Sequence, residues 1–120
     1  MQVFTPDEAR QVAAVVVELG DELVEVRAEL TEHRAGAAEG ALAELKGLEA
    51  RLADLLDRIV ELGVQLKGWA PLLVDIPVEH DGRVVLLCLL EGDRQLGWYH
   101  EPEHGFAGRR PIADLGLEGF

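Results

Sequence analysis

The stretches TPDEARQVAAVVVELGDELVEVRAEL (residues 5–30) and LKGLEARLADLLDRIVELGVQL (residues 45–66) decide the fold. In the first, apolar residues fall at Ala9, Val12, Val16, Leu19, Leu23, Val26 and Leu30. In the second they fall at Leu45, Leu48, Leu52, Leu55, Ile59, Leu62 and Leu66. Both series step alternately by three and four, the spacing with which a helix buries one stripe against another helix. Neither stripe is covered by its own helix, so each is the natural partner of the other. The pair is expected to form a long antiparallel, coiled-coil-like hairpin, helix one over 5–34 and helix two over 41–67.

Local signals agree with those limits. Thr5 can cap the first helix, Pro6 suits its first position, and Glu8 can reach back to close a capping box. His33 and Arg34 suit its C-terminus, and Gly36 breaks it; residues 37–40 are loop or a first turn of helix two. Gly20 marks a close approach or a slight bend. Gly63 interrupts helix two late, and Gly68 is its expected C-cap. Ala13, Val17 and Val24 widen the first stripe, and Leu56, Val60 and Val64 widen the second. Two helices cannot cover that much apolar surface, so the β part folds back over it, a second copy adds a face, or both. A homodimer with a four-helix core is the leading expectation.

After Pro71 the periodicity changes. Residues 72–79, 83–91 and 95–101 read as three antiparallel strands, a meander over 72–101 with turns at His80-Asp81-Gly82 and Gly92-Asp93. With two-residue loops, Asp75 faces Cys88 across the first hairpin and Leu87 faces Trp98 across the second. Val74, Ile76, Val78, Val85, Leu87, Leu89, Leu96, Trp98 and His100 then share the face that meets the helices. Asp75, Pro77, Leu86, Cys88, Leu90, Tyr99 and Glu101 lie on the other. Pro77 asks for an edge strand. Residues 102–120 form a Gly/Arg loop and an irregular tail. The whole chain, 1–120, is one α+β domain.

Composition excludes several functions. The formal net charge is −12, and phosphates would be repelled, so neither nucleic acid nor an anionic membrane is an expected partner. The apolar run 84–90 is too short to span a bilayer. One cysteine, Cys88, cannot form an internal disulfide and suits a reducing compartment; with no signal peptide at the N-terminus, the cytoplasm is expected.

Chemistry concentrates in residues 98–112. His100, Glu101, Glu103, His104, Arg109 and Arg110 stand together there with Gly105 and Gly108. Glycines free the backbone to turn and expose N–H groups, and Arg109 offers a planar fork for a carboxylate or phosphate. A small anionic ligand held by this loop competes with a structural role, in which the arginines pair with the protein's own acids. Pro102 opposes a helical turn that would bring His100 and His104 onto one metal. Asp75 and Cys88 face each other, but His100 points to the opposite face in this register, so no metal or other cofactor is expected. Cys88 within Val-Val-Leu-Leu-Cys-Leu-Leu reads as an inert thiol, and catalysis has no signature. His33 and His80 read as solvent-exposed, Trp69 and Trp98 as core or interface.

Gly63-Val64, Val74-Asp75-Ile76-Pro77, Asp81-Gly82-Arg83-Val84, Leu87-Cys88, Trp98-Tyr99-His100 and Gly105-Phe106-Ala107-Gly108-Arg109 resemble an uncharacterised prokaryotic family, domain of unknown function 2203. The opening Phe4-Thr5-Pro6-Asp7-Glu8-Ala9 is similar too. Ile76 stands where the family has an aromatic, Leu89 where it has a tryptophan, and Tyr99 parts Trp98 from His100. The resemblance implies a helical hairpin with a small sheet and no activity, and it points to Asp75, Cys88, His100, Gly105, Gly108 and Arg109. Two functions follow as expectations: a non-enzymatic self-associating scaffold that meets a protein partner, or a binder or enzyme for a small anionic ligand using His100, Glu101, Arg109 and Asp75.

Overall fold

The computed structural model describes residues 1–36 and 42–117; the bend of the hairpin and the end of the tail lie outside the described residues. Helices α1 (Pro6–Ala35) and α2 (Leu42–Glu61) precede five strands, β1 (Gln65–Trp69), β2 (Leu72–His80), β3 (Arg83–Leu90), β4 (Trp98–His100) and β5 (Arg110–Pro111). The class is α+β, and the strands form one antiparallel sheet in the order β1-β2-β3-β4-β5. The sheet therefore has five strands rather than the expected three. Ion pairs between His33 and Glu44 and between Glu22 and Arg51 show that the helices run antiparallel. No helix among the described residues is long and apolar enough to cross a membrane.

The capping box closes as the sequence asks: Thr5 N donates to Glu8 Oε1 at 2.8 Å, and Glu8 N donates to Thr5 Oγ1 at 3.2 Å. Gly20 marks a close approach, since a Cβ there would meet Leu72 Cδ2 at 3.0 Å. Helix α2 ends at Glu61, six residues before the expected Lys67. Gly63 is the reason: its φ of 92° is left-handed, which ends the helix, and a Cβ there would sit 2.1 Å from Gln2 Oε1. The chain is then free to extend, and Gln65–Trp69 becomes a strand beside β2 with a bulge between Leu66 and Gly68. So β2 is not an edge. Pro77 is nevertheless accommodated, because its carbonyl accepts from Phe4 N at 2.8 Å beyond the last β1 pair. Its missing N–H lies on that side, not in the β2–β3 ladder.

The first hairpin has the expected register, Asp75 opposite Cys88, turning at Asp81 (φ 51°) and Gly82 (φ 78°). The second hairpin does not. Leu87 pairs with Tyr99, Cys88 with Trp98 and Leu86 with His100, one residue away from the expectation. Glu91-Gly92-Asp93-Arg94-Gln95-Leu96-Gly97 form a longer connection rather than a tight turn. Asp93 caps the end of β3 by accepting from Leu90 N at 2.9 Å, and Arg94 leaves the sheet for Asp21 on α1. A one-residue slip exchanges faces. Tyr99 joins the core at 5 % exposure, while Trp98 and His100 turn to the other side of the sheet.

The core is a single layer of helix stripe against sheet. Val16, Leu23, Leu55 and Ile59 pack with Val74, Ile76, Val78, Val85, Leu87 and Leu96, all at 2 % exposure or less. The expected irregular tail instead adds β5 and two single 3-10 turns, Phe106–Gly108 and Ile112–Leu115, and buries Ile112. His80 is half-buried and donates from Nε2 to the Leu115 carbonyl at 2.6 Å. Trp69 and Trp98 are 44 % and 39 % exposed, outside the core.

Candidate functional site

Alternation along three neighbouring strands builds a polar cluster on the side of the sheet away from the helices. Asp75 stands between the core residues Val74 and Ile76, Cys88 between Leu87 and Leu89, and His100 next to Tyr99. Asp75 pairs directly with Cys88, and the corrected register sets His100 diagonally from Cys88. One carboxylate oxygen, the thiol sulfur and one imidazole nitrogen lie within 4.8 Å of one another. All three residues are buried, at 4 %, 2 % and 4 % exposure.

The histidine is fixed at both nitrogens. Nδ1 faces the Glu101 carbonyl at 2.8 Å, and a carbonyl only accepts, so Nδ1 carries a proton and donates. Nε2 faces Asp75 Oδ2 at 3.0 Å. A carboxylate and an imidazole lone pair repel unless a cation, either a proton or a metal, lies between them. Burial holds the Cys88 thiol far above its ordinary range; the charge and hydrogen bond of Asp75 push the same way, and the charge of Arg109 opposes them. On its own this thiol stays protonated and is a poor nucleophile.

Residues 101–109 fold back over this face. Between them and the sheet lies an open hollow of about 380 Å³, lined by Lys67, Leu73, Asp75, Leu86, His100, Pro102, Glu103, His104, Gly105 and Phe106. Arg109 caps the neighbouring edge, its guanidinium carbon 5.0 Å from the Trp98 ring centre and 4.2 Å from that of Phe106.

The expected site residues therefore divide. Asp75, Cys88 and His100 come together, which the expected register forbade; the reason given against a metal disappears with that register. Glu101 sends its carboxylate away to Arg83. Gly105 and Gly108 are not in left-handed conformations. Gly108 N and Arg109 N are spent on the carbonyls of Gly105 and Phe106, so these two N–H groups are not offered to an anion. Gly108 is needed for space: a Cβ there would lie 3.0 Å from His104 Cβ. Lys67 was missed because it was assigned to a helix. The signal that could have found it is Gly63 at the position where helices stop.

The chain belongs to a family of uncharacterized conserved proteins, DUF2203, whose model matches residues 2–112. No curated protein and no solved structure matches the chain.

Proposed function

We propose that this family member binds a small ligand in the hollow behind the sheet, with the helical hairpin as its scaffold. The observation that carries this is the buried Asp75–His100 pair lining the hollow. A carboxylate and an imidazole at 4 % exposure are compensated here by their hydrogen bonds to each other and to the Glu101 carbonyl, and they stand beside a lined, open space. The hollow is at the small end of ligand-site volumes, which fits an ion or a compact metabolite. Lys67 and His104 line it, and Arg109 packs on the ring of Phe106, which lines it too. Among the described residues none of the three is paired with a carboxylate, in a chain whose net charge is −12. Glu103 is, among the described residues, the one acid lining it besides Asp75. An anionic group on the ligand fits this balance.

Calorimetry with inorganic phosphate and with small mono- and dicarboxylates tests the proposal. One ligand class is expected to bind with one molecule per chain. Arg109→Ala and Lys67→Ala should each weaken it about tenfold, near 1.4 kcal/mol; exposed Lys67→Ala should leave thermal unfolding unchanged, and Arg109→Ala should lower stability by no more than about 1 kcal/mol through its contacts with Trp98 and Phe106. Absence of binding by every anion, or undiminished binding in the double variant, would overturn it.

A second role rests on a separate observation. Leu42 and Val60 on α2 are 67 % and 51 % exposed and Val15 and Val24 on α1 are 40 % and 36 % exposed, so the hairpin leaves an apolar strip uncovered, while Leu45, Leu48, Leu52 and Leu56 pack against the core and stay half-buried. A second copy offering the same strip would complete a four-helix core. A cytoplasmic setting suits the single buried, reduced thiol.

A further inference from the structure

We infer that Asp75, Cys88 and His100 form a three-ligand site for a divalent transition-metal ion of the zinc type, with its fourth position open to the hollow. The inference rests on the hollow being a ligand site and names what its floor holds. Three unlike donors converge: a carboxylate oxygen, a sulfur and an imidazole nitrogen, the set that borderline-soft divalent ions accept. Bonds of about 2.0–2.3 Å at tetrahedral angles need donor separations of about 3.3–3.8 Å. The observed atoms lie within 4.8 Å of one another, with Nε2 and Oδ2 at 3.0 Å. Side-chain rotations that bring the donor atoms about 1–1.5 Å closer therefore close the site without moving a strand.

Two further features favour an ion over a simple latch. The Nδ1–H bond to the Glu101 carbonyl fixes the tautomer that aims the Nε2 lone pair at Asp75, which is how metal-bound histidines are oriented. Charge also closes. A divalent cation displaces two protons to solvent, the one shared by Nε2 and Oδ2 and that of Cys88, and the thiolate and carboxylate then carry two negative charges against two positive beside a neutral imidazole, which sum to zero in a buried place. Asp75 and His100 line the hollow and Cys88 does not, so the metal's free position faces the hollow and any ligand lying in it.

The test uses the full chain stripped with a chelator and titrated with Co²⁺, then Zn²⁺. One Co²⁺ per chain is expected, with a thiolate-to-cobalt band in the near ultraviolet, the strong visible absorption of four-coordinate cobalt, and displacement by Zn²⁺. Cys88→Ser should lose the thiolate band, and Asp75→Asn should weaken binding by about a hundredfold. X-ray absorption on the zinc-loaded wild type needs no variant and should show one sulfur bound to the metal. No cobalt binding, binding without the thiolate band, or zinc without a sulfur neighbour would overturn the inference. If anions bind the stripped protein while cobalt fails, the hollow remains a ligand site and the metal falls. If cobalt binds with its thiolate band while every anion fails, the metal stands and the anionic ligand falls.

Discussion

His100 is held between a carbonyl that can only accept and a carboxylate that can only accept when ionised, and its removal leaves the carboxylate with only the weak Cys88 thiol donor. In the metal-free protein, His100→Ala should cost about 3 kcal/mol in urea unfolding, because Asp75 stays buried without its stronger partner. Adding Asp75→Asn to that variant should recover part of the loss, since a neutral amide is cheaper to bury than a lone charge. A cost below about 1 kcal/mol for His100→Ala would mean that water, not the protein, surrounds the carboxylate. Half of this cluster was legible in the sequence. Asp81-Gly82 is a turn whose residues dictate its length, so the Asp75–Cys88 pairing could be read directly. Gly92-Asp93 carries the same signal, but there Asp93 caps β3 and Arg94 leaves for α1, and those long-range bonds set the register instead.

At the scale of elements, the junction of α1 with the sheet is a knot around Glu91. Arg27 grips its carboxylate with two N–H groups at 2.8 and 2.7 Å and donates to the Trp69 carbonyl at 2.7 Å; Leu72 N donates to Glu91 Oε1 at 3.0 Å. Two half-buried side chains, Arg27 and Glu91, therefore tie α1 to β1, β2 and the end of β3. Glu91→Ala should destabilise by about 1.5–3 kcal/mol, the range for bonds to charged partners, measured by thermal or urea unfolding. The Arg27 bond, then the Leu72 N–H, hold the Glu91 carboxyl below the usual carboxylate range. Its contribution is thus fully present above the unfolded-state glutamate value of about 4.3 and is lost as pH falls through the lower folded-state value. Glu91→Gln should accordingly flatten the acid limb of the stability–pH curve. The helices were readable because caps and periodicity are local. Strand β1 was not, because a residue that terminates a helix and one that interrupts it are the same glycine until its φ is known.

Across the whole molecule the two halves divide the work. The extents are 57 × 26 × 24 Å, and α1 with 30 residues runs for about 45 Å, longer than the sheet it packs on. The far part of α2 therefore has only α1 beneath it, and its outer leucines stay half-open. Sedimentation equilibrium should show a dimer at micromolar concentration, and Leu42→Glu with Val60→Glu, both at exposed positions, should give monomers with unchanged helical content. A wild-type monomer at the highest soluble concentration would remove this role and leave the site untouched, since the sheet stands between them. Asp75 and Cys88 ride on the two longest strands, each bonded on both sides, whereas His100 rides on three residues next to a two-residue edge. A strand so short, backed only by a two-residue edge, is expected to open before the long pair beside it, so backbone amide exchange should be faster in β4 than in β2 or β3.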